Sequence, residues 1–326
     1  MTTTSDARRT SDVVVGRPEG AVLDVERSKA RRAAGDVLSA ATHMDAITLH
    51  ASDLPALRDY YSAALGLNIL SDTGSGAVLG RGATPLVILK SAPGLPRPRR
   101  NEAGLFHTAL LFADHRSLAA AVYSAARHPQ SHYVGSADHG VSNAFYFTDP
   151  EGNGIELYMD RPREQWEYVN GTLRMYSKAL DAQRYLATHL SESSSDTDLD
   201  AAASVGHVHL QVGDLASAQD FYSGLLGFEV TTSVPGALFV SAGGYHHHMA
   251  MNTWNSVGAG LRGETLGLGK VAISVPQRED LDAAKTRLLA RGIEIKDDGA
   301  SLAVDDPWGT AVVLSVAKGS AAARGE

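Results

Sequence analysis

Histidine and glutamate set into apolar strands are the side chains of this chain most able to do chemistry. Cysteine is absent from all 326 residues, so disulfides, thiolate ligands and a cysteine nucleophile are excluded. A metal would therefore be held by histidine and carboxylate. The first half offers His107, in GLFHTALLF, and Glu156, in DPEGNGIEL. The second half offers His207, in VGHVHLQV, and the run His246-His247-His248. Two protein ligands bind a catalytic metal poorly, so each half alone is an unfinished site. Pooled, the two halves make one complete site.

What must position these residues is a repeat. Asp53 to Leu67, DLPALRDYYSAALGL, matches Asp214 to Phe228, DLASAQDFYSGLLGF. Both start with an Asp N-cap, hold apolar residues at helical spacing, and end in Leu-Gly, the glycine suited to a left-handed C-cap. Each follows a short alternating strand, Asp45 to His50 or Gly206 to Val212. Two weaker copies follow. The strand from His107 leads to a helix around Ser117 to Arg127 and then to strands ending at TDPEGNGIELYMD. The strand from Lys270 leads to a helix near Asp280 to Arg291 and strands ending at DDPWGTAVVLSV. The chain thus reads as four βαβββ units, about 44–90, 104–160, 205–256 and 266–316. Three short strands after each helix, with tight Asp-Pro-x-Gly turns, argue for an α+β fold of sheets curved into half-barrels. Where ligands are missing, the repeat places Ala46, Val87 or Ile88, Lys270 and Val313.

Composition sets the remaining bounds. A chain that is 44% hydrophobic is long enough for two ordinary domains. Its net charge of −8 provides no basic field for nucleic acid or an anionic membrane, and no apolar run reaches membrane-spanning length. Residues 1–40 read as a mobile leader or docking helix without a signal peptide's apolar core. A first domain spans 41–162 and a second 205–316. Between them, 163–204 is expected to hold a helix, roughly Arg163 to His189, packing through Trp166, Tyr168, Leu173 and Met175. An acidic linker, SESSSDTDLD, follows it, and 317–326 read as a disordered tail. A cysteine-free chain fits a reducing cytoplasm, and a homo-oligomer is compatible with everything above.

The helix motifs YYSAALGL and FYSGLLGF make residues 44–316 resemble the vicinal oxygen chelate superfamily. That group includes glyoxalase I, bleomycin-resistance proteins and type I extradiol ring-cleaving dioxygenases. The resemblance implies two half-barrel modules, with ligands from the first and fourth strands of facing units. Inward side chains of a curved sheet converge there on its concave face. The segment His139 to Glu156, HGVSNAFYFTDPEGNGIE, resembles the extradiol signature of His, Phe-Tyr, Asp-Pro-x-Gly and Glu, with Ala137 departing from it. It implies Glu156 as a metal carboxylate, with His139 and Tyr146 in the substrate pocket. The same segment also makes a good turn and strand in inactive relatives, so the weight falls on its company with His107.

A lone histidine on an apolar strand is more often a core residue than a ligand. The shared first-strand position of His107 and His207 reverses that expectation. His209 lies on the same face as His207 and competes with it; the family places its ligand directly after a glycine, which selects His207. In the histidine run, strand alternation puts His246, His248 and Asn252 on one face and His247, Met249 and Met251 on the other. Methionines suit the helix-packed side. His246 and His248 are therefore expected to face the cavity, with His248 nearest the metal and His247 structural. Tyr245 and Trp254 are candidate walls.

The pairing of units decides the site. Sequential pairing leaves two incomplete sites. In the exchanged arrangement known in the superfamily, the second unit faces the third, and one cavity gathers His107, Glu156 and His207. The first and fourth units then share an empty cavity lined by Ala46, Lys270 and Val313. A 2-His-1-carboxylate set leaves open positions on Fe(II), with Mn(II) as a substitute. The expectation is an extradiol dioxygenase acting on a catechol- or hydroquinone-like diol and O2. His248 or His246 would move protons, and His139 and Tyr146 would bond the substrate. The alternatives are a glyoxalase-like isomerase or lyase with His248 as fourth ligand, a metal-free drug-binding module, and a degenerate regulatory or structural protein.

Overall fold

A computed structural model describes residues 34–190 and 202–317. The acidic linker, the tail beyond residue 317 and the leader up to residue 33 lie outside the described residues. Four βαβββ units are built on one plan. Their first strands are Ile47–Ala51, Gly104–Phe112, Ala203–Gln211 and Gly267–Val275. Their helices are Leu54–Leu65, His115–Arg127, Leu215–Ala218 continuing as a π-helix over Gln219–Leu226, and Arg278–Ala290. The caps are those the repeat requires. Asp53 accepts from Ala56 N at 3.1 Å and Asp214 from Ser217 N at 2.7 Å. Gly66 and Gly227 close the same helices at φ 65° and 105°, which favours glycine.

Within every unit the first strand runs parallel to the fourth. Between units, Gly104–Phe112 pairs antiparallel with Ala203–Gln211, and Ile47–Ala51 with Gly267–Val275. The second unit therefore shares one nine-stranded sheet with the third, and the first shares another with the fourth. This is the exchanged pairing that a pooled site needs.

Sequential units are held together differently, through a buried hydrogen bond made twice. Tyr61 donates to Asp149 at 3.1 Å, and Tyr222 donates to Asp306 at 3.0 Å. Each joins the helix of one unit to the Asp-Pro-x-Gly turn of the next. Burial pushes both Asp carboxyls up, so the turn's own N–H groups and the phenol are needed to satisfy them. In the second unit that turn leads straight into the strand carrying Glu156, Gly154–Asp160.

Two expectations are corrected. Of the helix expected over Arg163 to His189, only a 3-10 turn at Arg163–Gln165 and an α-helix at Ala182–His189 form; between them lie a short hairpin, Tyr168–Val169 with Thr172–Leu173, and the strand Lys178–Ala179. The Asn170-Gly171 pair with positive φ at both residues forces the turn. Trp166 and Leu173 are buried, but Tyr168 is exposed. The described end of the leader is also packed: Leu38 is buried, and the Ser39 hydroxyl donates to Asp280 at 2.8 Å.

Candidate metal centre

His107, Glu156 and His207 are all buried, and one ligand atom from each lies within 4.8 Å of the others. The Nε2 atoms of His107 and His207 stand 2.9 and 3.1 Å from the same Glu156 Oε2. Backbone register explains the convergence. Glu156 pairs with Ala109, and Ala109 also pairs across the unit boundary with His207. His107 lies two residues away on the same face. The approach demands glycine twice. A Cβ on Gly206, at the bulge before His207, would lie 1.7 Å from the Tyr158 hydroxyl, and one on Gly154 would lie 2.0 Å from the Phe106 carbonyl.

The donor set fits a divalent metal. Despite its short distance to the carboxylate, His107 Nε2 lacks hydrogen-bond geometry and has no hydrogen-bond partner, as expected of a lone pair aimed at a shared point. Burial would raise the Glu156 carboxyl, but His207 and His107 outweigh it and hold it well below the usual carboxylate range. Burial pushes His207 down to about 4 against the pull of Glu156. At neutral pH Glu156 is thus a carboxylate and His207 a neutral imidazole, the forms that ligate.

The same register shows what the other units lost. The position of Glu156, opposite the residue two after the first-strand ligand, is Ala250 in the third unit, opposite His209. It is Ile88 in the first unit, opposite Thr48, and Val313 in the fourth, opposite Ala272. His248 is therefore not the counterpart of Glu156.

The histidine run departs from expectation for a related reason. The fourth strand starts only at Met249, and Gly243 and Gly244, at φ 62° and 67°, hold the preceding chain in a turn. Strand alternation does not apply there. His247 lines the cavity and stacks on His207 with ring centroids 4.1 Å apart. His246 and His248 point away from it. His246 is fully buried and bonds Asp160, while His248 accepts from Ala242 N at 3.2 Å and packs on Tyr245 and Phe228. His209 faces the cavity, but its Nε2 is taken by Asn252 Nδ2 at 2.9 Å, so it does not complete the ligand set.

Above the triad lies a cavity of about 640 Å³. His139 and Tyr146 line it, with His139 Nε2 2.7 Å from the Tyr146 hydroxyl. The Tyr176 carbonyl accepts from His139 Nδ1 at 2.9 Å, so in the neutral ring Nε2 accepts and Tyr146 donates. Burial, then the nearby Glu156 charge, pushes the Tyr146 phenol well above its usual value and keeps it protonated. The remaining walls are largely apolar and include Phe106, Phe239 and Trp254. Tyr245 is not among them; its hydroxyl bonds that of Tyr158 at 2.8 Å. Met175 and Tyr176 come from the segment between the second and third units, whose sequence carries no periodic signal for such a role.

Residues 43–157 and 204–314 match the model of the Glyoxalase/Bleomycin resistance protein/Dioxygenase superfamily. The chain belongs to that superfamily. It is 35% identical over 281 residues to the catechol-2,3-dioxygenase of Bacillus subtilis (strain 168), covering 84% of this chain and 97% of that protein. It is 30% identical over 129 residues to biphenyl-2,3-diol 1,2-dioxygenase 3 of Rhodococcus globerulus, covering 38% and 67%. Among solved structures, glyoxalase I from Zea mays shares the fold at a TM-score of 0.52 and 18% identity, covering 85% of this chain and 92% of that one. No helix among the described residues is long and apolar enough to cross a membrane.

Proposed function

We propose that this superfamily member is an extradiol dioxygenase that opens the ring of a catechol- or hydroquinone-like diol with O2. The observation that carries the reading is a 2-His-1-carboxylate triad with Ala250, not a fourth ligand, at the remaining symmetry position. Such a set supports a site open to two further ligands. A four-ligand, glyoxalase-like site would need a donor where Ala250 stands. His107, Glu156 and His207 would hold Fe(II), or Mn(II) in its place, and that ion would supply Lewis acidity and electrons for dioxygen.

The chain's own residues do the rest. His247 lines the cavity beside His207, and burial holds its ring neutral, pushing its pKa well below the usual value. In that form it accepts a hydroxyl proton from the diol. The Tyr146 oxygen, its own proton directed at His139, is left to accept from the diol and orient it. Phe106, Phe239 and the other apolar walls hold the ring and exclude water.

The test is oxygen uptake by anaerobically prepared, Fe(II)-loaded protein on a panel of catechols and hydroquinones. The expected product carries both atoms of one dioxygen. Fully loaded protein that consumes no oxygen, or consumes it without incorporation, would overturn the reading.

A further inference from the structure

His246 does not touch the cavity, yet it is the most completely buried residue of the histidine run, at 0% exposure. Its ring lies against Tyr245, centroids 4.1 Å apart, and Trp166, at 5.6 Å. Both of its nitrogens are engaged. Nε2 is 2.8 Å from Asp160 Oδ1, and Nδ1 is 2.7 Å from Nδ1 of His247. Asp160 ends the strand that carries Glu156, so one strand supplies both the candidate metal carboxylate and this second acid.

With both rings neutral, the hydrogens in this chain of bonds follow from valence. A carboxylate only accepts, so His246 Nε2 carries a hydrogen and donates it to Asp160. A neutral His246 then has only a lone pair at Nδ1. The 2.7 Å contact between two Nδ1 atoms needs one hydrogen between them, and His247 must provide it. His247 is thereby held with Nδ1–H turned inward and Nε2 bearing a lone pair. Nε2 makes no hydrogen bond to the described residues and belongs to the ring that lines the cavity.

We infer that Asp160, acting through His246, is a positioning residue that fixes the tautomer and orientation of His247. The inferred use of that lone pair rests on the proton transfer proposed above; the hydrogen-bond chain itself does not. The logic is that of a buried carboxylate selecting a histidine tautomer, extended by one ring. Without Asp160, His246 is free to carry its hydrogen at Nδ1, and His247 is then turned to Nε2–H, which cannot accept.

The experiment uses metal-free, full-length protein labelled on the histidine ring nitrogens, with His247 assigned by its loss in His247→Gln. Two-bond proton–nitrogen spectra report which ring nitrogen carries hydrogen. Wild type is expected to show His247 as Nδ1–H. Asp160→Asn, whose amide can donate to His246, is expected to move a large part of His247 to Nε2–H, and Asp160→Glu to restore the wild-type pattern. In loaded enzyme, kcat of Asp160→Asn should fall about 10–100-fold, with metal content unchanged and KM within about twofold. Nε2–H already present at His247 in wild type, or an unchanged tautomer in folded Asp160→Asn, overturns the inference. If Asp160→Asn does not fold, His246→Gln supplies the same comparison. Should wild type turn over no diol, the proposed function falls while the spectra still decide the tautomer.

Discussion

His107 from the second unit and His207 from the third reach the same oxygen of Glu156, at 2.9 and 3.1 Å. Neither half of the chain could build this arrangement from its own ligands. It exists because the first strands of the two units pair antiparallel, with Ala109 in register with His207 on one side and Glu156 on the other.

Neighbouring histidines should behave in opposite ways. His247→Ala is expected to lower kcat about 10²–10⁴-fold while the protein remains folded, as loss of an acid–base group does. His248→Ala, by removing a packed ring that holds Ala242 N, should lower stability and leave kcat of the folded fraction nearly unchanged. Steady-state kinetics beside thermal melts separate the two. A kcat loss confined to His248→Ala would overturn the assignment.

Tyr146→Phe keeps the ring but removes the hydroxyl that meets His139 at 2.7 Å. A drop in kcat/KM of about 10-fold is expected, consistent with one lost hydrogen bond of about 1–2 kcal/mol. Metal content, measured in the same samples, should be unchanged, because Tyr146 is not a ligand.

Acid should destabilise the metal-free protein as pH falls below the ordinary histidine range. Burial lowers His207 to about 4 and His248 to about 3, and drives His209 and His247 well below 6.5. Below the unfolded value of 6.5 the unfolded chain binds protons that the folded chain refuses, so stability falls as pH drops from about 6.5 towards 4. The slope is at most about 1.4 kcal/mol per pH unit for each such histidine. Glu156 adds to this at lower pH: its depressed pKa gives stability that is present above 4.5 and lost as pH falls through the folded value. Urea unfolding at pH 7.5, 6 and 5 checks the trend, and equal stabilities at all three would contradict it.

Gly206→Ala should damage the site without touching a ligand. The added methyl would lie 1.7 Å from the Tyr158 hydroxyl, so either the bulge that presents His207 or the buried Tyr158 ring against it must shift. Overpacking of this kind costs about 1–3 kcal/mol. Chemical unfolding should show that loss, and metal titration should show weaker binding than wild type.

Much of this was legible in the residues. The Asp caps and Leu-Gly ends of the first and third helices are set by local backbone chemistry, and so survive any tertiary context. The triad was legible because its members sit on strands, where two-residue periodicity holds. His247 was not, because Gly243 and Gly244 delay the fourth strand to Met249, and face assignment by alternation fails in a turn. Residues 163–181 were misread for the opposite reason: apolar residues at helical spacing there serve a hairpin and a cavity wall, a tertiary use that periodicity does not encode.

The central claim is that one metal is shared by the second and third units, and metal content of His207→Ala tests it most directly. Purified anaerobically with Fe(II), wild type is expected to bind one equivalent per chain. His107→Ala, Glu156→Ala and His207→Ala should each lose it while remaining folded. Full metal occupancy and undiminished oxygen uptake in His207→Ala would contradict the account.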